Sequence, residues 1–297
     1  MTIEKLIYTN EKGEKIEFSP NSLYHSNIAK ITGLSDVKNT LYTTSAMGQD
    51  GSTVTGNKIQ PRHIVISGAI KSTNKDRVLE LKRALSRVLN PHLQAKLTYE
   101  YGDHRRVIDC RLETAPVFKR GNALLAYEID VTCAYPFWAE EVESETSIAG
   151  WLGCFEFNQT AGGWEIVTGG VEMGQRTRDV VVSVINNGDI ATGIRVEFTA
   201  GTSVTNPSLT NITTGEYMAF TGLTMQTGDK LVVTTAYGEK ACKLYRGATV
   251  INALAYWDTN GKFLQLETGE NLFRFSAGAN ADGLEVKIYA TNKYLGV

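Results

Sequence analysis

The sequence has little of what most chemistry is built from. It holds four histidines in 297 residues, His25, His63, His92 and His104. None falls in HExxH or in a spacing that puts two ligands on one face, so structural roles are expected for all four. Cysteine is as sparse: Cys110, Cys133, Cys154 and Cys242 stand far apart, with no CxxC pair. That argues against a disulfide framework or a zinc site and for buried, reduced thiols. There is no GxSxG elbow, no GxxxxGK[ST] loop and no GxGxxG after a strand, so serine-hydrolase and nucleotide-binding readings have no footing. No run of about 18 apolar residues occurs, so no membrane insertion is expected. The opening residues Met1–Ile7 lack the apolar core of a signal peptide, which argues against Sec-type export. Neither sign of charge dominates: 30 Lys+Arg face 32 Asp+Glu, a net of -2. A general nucleic-acid binder needs a large basic excess, and this chain has none.

What is present is ordinary globular material, 42% hydrophobic and 21% charged, of a length that points to two domains. Composition shifts near residue 138. Residues 1–138 carry a net charge of +5 and residues 139–297 a net of -7, and all four tryptophans lie at or after the shift. The run Glu140-Glu141-Val142-Glu143-Ser144-Glu145 after an apolar strand reads as a boundary. The expected division is a domain over 1–138, a linker over 139–146 and a domain over 147–297.

One helix is expected, over 74–89. Val78, Leu81, Leu85, Val88 and Leu89 recur at helical spacing. Thr73 is the expected cap, Asp76 sits favourably in the first turn, and Asn90-Pro91 ends the helix. Its other face carries Lys75, Arg77, Lys82, Arg83 and Arg87. Asp76 and Glu80 dilute that charge and no aromatic anchors are present, so a solvated face is expected rather than a nucleic-acid or membrane surface. Almost everything else reads as strand. Ile3–Tyr8 and Lys15–Phe18 flank a hairpin turn, and Arg62–Ile70, Leu97–Tyr101, Arg106–Leu112 and Ala123–Cys133 are apolar or alternating. After the boundary, short strands recur about every ten residues between Gly and Asn turns. They include Val180–Ile185, Gly193–Thr199, Lys230–Thr235, Lys262–Leu266, Phe273–Ala277 and Leu284–Ala290. That pattern points to an antiparallel jelly-roll sandwich. Leu41–Lys58, rich in Ser, Thr and Gly, is too long and polar for a tight turn. It reads as a mobile loop or as an arm that orders on a partner. Gly162-Gly163 and Gly169-Gly170 bracket a shorter flexible stretch.

Candidate chemistry is thin. Glu140, Glu141, Glu143 and Glu145 cluster where a charge run is usually solvated, and Asp189, Asp229 and Asp258 sit in turns that favour Asp for backbone reasons. A β-sandwich glycosidase would need only two of these carboxylates, at a separation no sequence reveals. Trp151, Trp164 and Trp257, with Tyr237, Tyr245 and Tyr256, raise a glycan-binding reading, against which stands a core or subunit-contact role. No catalytic, cofactor-binding or metal-ligating residue is assigned, and the chain is not expected to be an enzyme.

An ordered set of motifs carries a resemblance. The run RHIVISGAI at 62–70, the helix closing in Leu89-Asn90-Pro91, LTYEY at 97–101, RVIDCRLETAPVF at 106–118 and a strand ending in Pro136-Phe137-Trp138 resemble the first half of the distal tail proteins of long-tailed, siphovirus-type bacteriophages. Ile185–Asp189, Thr192-Gly193-Ile194, Asn206-Pro207, Leu223–Val233 around Gly228-Asp229, and Gly269-Glu270-Asn271 resemble that family's second domain in the same order. The resemblance implies a mainly β protein. Its first domain would be a β-sandwich-like, ring-forming fold with one helix and a long arm, and its second a galectin-like or jelly-roll sandwich. It implies a structural hub at the tail tip of the virion, made in the host cytoplasm. Six copies would form a ring joined to the tail tube protein, a tail-associated spike or lysin, and receptor-binding proteins at the periphery. DNA would pass the channel without specific binding. By this resemblance Leu41–Lys58 is an arm that reaches a neighbour, no cofactor is implied, and no inserted sugar-binding module is visible. The alternative is a carbohydrate-binding β-sandwich adhesion protein.

Overall fold

A computed structural model describes residues 4–48, 50–72, 74–120, 125–148, 151–152, 175–176 and 181–297. The chain forms two compact units, Met1–Glu141 with Lys293–Val297, and Val142–Asn292. This differs from the expected division at both ends. Trp138–Glu140 is a strand of the first unit and Ser144–Ser147 a strand of the second, so little of 139–146 is linker. The last five residues, expected in the second domain, belong to the first. Alternation in Leu284–Ala290 makes a good sandwich strand, and nothing local announces that the next few residues leave it.

The first unit has strands β1 (Lys5–Asn10), β2 (Lys15–Ser19), β3 (Tyr24–Ser26), β4 (Asn39–Thr44), β5 (Thr53–Ile59), β6 (Arg62–Ile70), β7 (Ala95–Tyr101), β8 (His104–Leu112), β9 (Val117–Arg120), β10 (Leu125–Cys133) and β11 (Trp138–Glu140). Lys293–Tyr294 adds a final strand on β11. The sheet runs from that strand through β11, β8, β7, β1, β2, β3, β6 and β10 to β9, and β10 also pairs with β8. The sheet therefore closes on itself, and the sandwich-like layers are two sides of a barrel. Period-two patterning fills it: Leu6 and Tyr8 from β1, Ile64 and Ile66 from β6, Tyr127, Ile129, Val131 and Cys133 from β10 all point inward and are buried. The strand expected to end in Pro136-Phe137-Trp138 ends at Cys133, and Trp138 opens β11 instead.

Helix α1 (Lys75–Val88) covers the barrel wall beside β2 and β6, burying Leu81, Leu85 and Val88. Thr73 lies outside the described residues, and the cap is Asn74, whose Oδ1 accepts from the Asp76 N–H at 2.9 Å. The helix stops at Leu89, whose N–H reaches the Leu85 carbonyl. Full burial of a leucine such as Leu85 stabilises by roughly 1.5–3 kcal/mol, so this face, more than helix propensity, holds α1 in place. Asn10 ties the helix end to the β1–β2 turn. Its Oδ1 accepts from the N–H groups of Lys12 and Glu14, and its Nδ2 donates to the Val88 carbonyl at 3.2 Å.

The second unit is a two-layer sandwich. One sheet orders Ser144–Ser147, Leu284–Ala290, Thr192–Ala200, Lys230–Thr234, Ala241–Arg246 and Thr249–Asn252, all antiparallel. The other orders Val181–Asn186, Gly269–Ser276, Ser208–Asn211 and Glu216–Ala219. Val196, Phe198, Leu231, Val286 and Ile288 from the first sheet meet Val184, Leu209, Met218 and Phe273 from the second in one core. The strand expected over Phe273–Ala277 starts earlier, at Gly269, whose φ of +88° lets the turn enter the strand. Short strands Trp151–Leu152 and Gln175–Arg176 pair with each other. The two diglycine stretches lie outside the described residues.

Candidate assembly surfaces

The expected loop at Leu41–Lys58 is a β-hairpin. β4 and β5 pair from Asn39–Ile59 to Thr44–Thr53, with a bulge between Tyr42 and Thr43, and form a sheet of their own. Threonine and valine at 40, 43, 44, 53, 54 and 55 fit a pleated ribbon, a signal that overall polarity masks. The base is fixed where the Gln60 N–H donates to the Lys38 carbonyl at 2.8 Å and Gln60 Nε2 to Thr40 Oγ1 at 3.0 Å. Beyond the base the ribbon is exposed. Leu41, Tyr42 and Val54 are more than half exposed and Met47 is fully so. An isolated two-stranded ribbon is marginal in water, and this one holds out apolar side chains and two unpaired edges.

A second built feature lies on the barrel flank. Arg62, the first residue of β6, is buried, with 3% of its surface exposed. Its Nε donates to the Pro136 carbonyl at 2.8 Å, and its Nη1 to those of Gly33 and Leu34 at 2.7 and 2.8 Å. Its Nη2 donates to the Leu295 carbonyl. Trp138 Nε1 donates to Leu34 at 2.9 Å. One guanidinium thus gathers three stretches of backbone. Arg106 adds a hydrogen bond to the Gly296 carbonyl and stacks 3.7 Å over the Tyr294 ring. Ser35 Oγ donates to the Val297 carbonyl at 2.9 Å. Any Cβ on Gly296 would sit 3.1 Å from Ser35 Cα, so glycine lets the segment lie flat. Sequence reading missed this cluster. Its one signal was an arginine opening a strand that is otherwise apolar.

The candidates for chemistry separate. The four clustered glutamates go to four different partners. Glu140 accepts from the Tyr294 hydroxyl at 2.5 Å, and Glu141, Glu143 and Glu145 pair with Arg105, Arg195 and Lys287. Asp229 is buried in its turn, accepts from the Gln226 N–H at 2.8 Å and is held by Arg246 at 2.6 Å. Burial alone would raise its pKa, but the Arg246 and Gln226 hydrogen bonds overcome that and hold it below the usual carboxylate range. Asp258 accepts from the Tyr217 hydroxyl at 3.2 Å. These carboxylates are each held by a partner, and Glu141, on Arg105, is the one of them that lines a cavity. The histidines are also dispersed: His25 Nδ1 lies 2.8 Å from the Pro20 carbonyl and His63 Nδ1 3.1 Å from Thr132 Oγ1. Among the described residues no three His, Cys, Asp or Glu come together as metal ligands would. Burial pushes the Cys133 and Cys242 thiols up to about 12 and Cys110 higher still. Cys154 lies outside the described residues.

The aromatics divide as well. Trp257 is stacked on Phe263 with centroids 4.3 Å apart and meets Phe220 edge-on at 5.5 Å. It is packing, not an open sugar platform. Tyr237 stands out at 88% exposed, and Tyr245 and Tyr256 are partly open. Trp164 and the Trp151 side chain lie outside the described residues.

A closed β-barrel in one unit and a two-layer β-sandwich in the other, with an exposed apolar ribbon on the first, define a mainly β protein with a surface suited to assembly. Residues 11–124 match the phage tail protein RIFT-related domain, and residues 187–294 match the siphovirus-type tail component, C-terminal domain. The chain belongs to the distal tail protein family of siphovirus-type phages and is a structural component of the phage tail. No curated protein sequence is significantly similar to it. The same fold occurs in the crystal structure of the SPP1 Dit (gp 19.1) protein, described as a paradigm of the hub adsorption apparatus in phages infecting Gram-positive bacteria. The TM-score is 0.68 at 12% identity, over 97% of this chain and 98% of that one. A chain of the phage P2 baseplate, in its activated conformation with Ca, aligns with a TM-score of 0.54 at 12% identity over the full length of both.

Proposed function

We propose that this protein is the hub of a tail tip. Six copies close into a ring through their first units, with the tail tube protein on one side and the tail-associated spike or lysin on the other. Receptor-binding proteins attach at the periphery, and DNA passes the channel without specific contacts. The protein performs no catalysis of its own and is made in the host cytoplasm. The observation that carries this reading is the β4–β5 arm. A ribbon that exposes Leu41, Tyr42, Met47 and Val54 has no use for them in an isolated subunit. A closed ring of identical subunits needs two different patches per copy, and an arm on one with an acceptor on the next supplies such a heterologous contact.

Light-scattering mass after size exclusion, at several concentrations, tests it, with negative-stain images of the largest species. The expected result is a mass near six times the 32.6 kDa subunit, with rings in the images. A monomer at every concentration, unchanged by adding the tube or spike partner, overturns it.

A further inference from the structure

The barrel closes at a short seam. β10 pairs with β6 over nine residues and β7 with β8 over seven. β10 meets β8 at two positions alone, Val131 opposite Leu112 and Thr132 opposite Arg111. Continuing that antiparallel register by one residue sets Cys133 opposite Cys110. Both side chains share the inward face with Val131 and Leu112, and both are buried, at 0% and 4% exposed. The electrostatics of Cys110 agree with close approach: after burial, the neighbouring Cys133 is the next cause of its raised pKa. Residues directly opposite in an antiparallel pair have Cα atoms about 4.5–5.5 Å apart, inside the 4.4–6.8 Å range that a disulfide spans.

We propose that Cys110 and Cys133 form a latent cross-strand disulfide that staples the barrel seam once the assembled tail leaves the host. The oxidant is a small-molecule disulfide of the glutathione class. One cysteine loses its proton and its thiolate attacks the small disulfide, forming a mixed disulfide and releasing one small thiol. The second cysteine, deprotonated in turn, displaces the other small thiol and closes the protein disulfide. Two protein thiols give up two electrons, and one small disulfide becomes two thiols. Inside the host the reducing pool holds both cysteines as thiols, while outside it no such pool exists. Burial makes the reaction slow but does not forbid it. The seam pairs over two positions, and local opening there exposes both sulfurs together. This proposal rests on the tail assignment and not on the ring.

The test uses the full chain, purified reduced, then incubated with oxidised glutathione at neutral pH in a denaturant concentration just below the unfolding transition. The expected result is that titratable thiols fall from four to two. Peptide mapping then joins Cys110 to Cys133, and the first unit melts several degrees higher, reversibly on adding dithiothreitol. Cys110→Ala and Cys133→Ala each abolish the shift. Dibromobimane, which becomes fluorescent on bridging two nearby thiols, labels the same pair in the unmutated chain, so the proposal is testable even if a variant folds poorly. Four thiols persisting after prolonged oxidation, or a bridge mapped to any other pair, overturns it.

Discussion

The two units solve the same problem in different ways. Both are built mainly of antiparallel strands, the first unit with one parallel pair, β2 with β3, and each has one apolar face. The sandwich of the second unit buries that face against a second sheet, so its core is shared by two independent layers. The barrel of the first buries it against itself, so its integrity depends on one place where the sheet meets its own beginning. The sandwich keeps its edges, and the barrel has a seam. The fold reinforces that seam from outside. β11 continues past β10 along β8, the 293–297 segment pairs with β11, and Arg62 binds the whole to the loop at 33–34.

The largest expected effect comes from breaking that reinforcement. Arg62→Ala removes the common donor of four carbonyls, each costing about 1–3 kcal/mol where it is left buried without a partner, so the first unit should lose several kcal/mol. Calorimetry should show the first unit's transition falling while that of residues 142–292 stays in place. A fall in both transitions together would mean that the units do not melt separately. Next come two strand glycines, one in each unit. A Cβ on Gly68 would lie 2.2 Å from Tyr127 Oη, and one on Gly193 would lie 2.3 Å from Ala236 Cα. Gly68→Ala and Gly193→Ala should each destabilise their own unit by roughly 1–3 kcal/mol. The Gly68 Cβ also lies 2.4 Å from the His25 carbonyl oxygen, so both variants meet backbone and the two losses should be similar in denaturant titration.

Removing the arm sharpens the comparison differently. Deleting residues 43–57 takes away exposed ribbon and almost no core, so thermal stability of the subunit should change by less than about 1 kcal/mol. Sedimentation should show assembly lost. Unchanged assembly would move the subunit contact elsewhere. The smallest effect is on acid sensitivity. Asp229 is held below its usual value of 3.8. Its contribution is fully present above that value and is lost as pH falls through the lower folded-state value. Acid titration of the unit over 142–292 should steepen below about pH 4, and Arg246→Gln should flatten that part of the curve.

Much of this was legible in the chain. The 3.6-residue spacing of Val78, Leu81, Leu85 and Val88 marks an amphipathic helix with one face to bury. Period-two strands with Gly and Asn turns pointed to mainly antiparallel β structure, and the ordered motifs pointed to the family. The arm was legible only in part. Its polarity was read as looseness, because strand formation there depends on β-branched threonines pairing across the hairpin, and pairing is not a local property. The charge shift near residue 138 suggested a boundary, but the units divide after Glu141 and the last five residues return to the first.

Tertiary structure decided the rest, and the reason is the same each time. Closure of the barrel is a pairing between β8 and β10, whose register no local pattern encodes. The role of Arg62 depends on carbonyls from positions 33, 34, 136 and 295, remote in sequence and brought together only by folding. The return of 293–297 to the first unit follows from a site prepared more than 150 residues earlier, by β11 and Arg106. The facing of Cys110 and Cys133, two unremarkable thiols in the sequence, is a consequence of that same seam. Periodicity is written along the chain and determines which face of each element is buried. Partners are set by where the chain comes back to itself, and only the closed structure determines that.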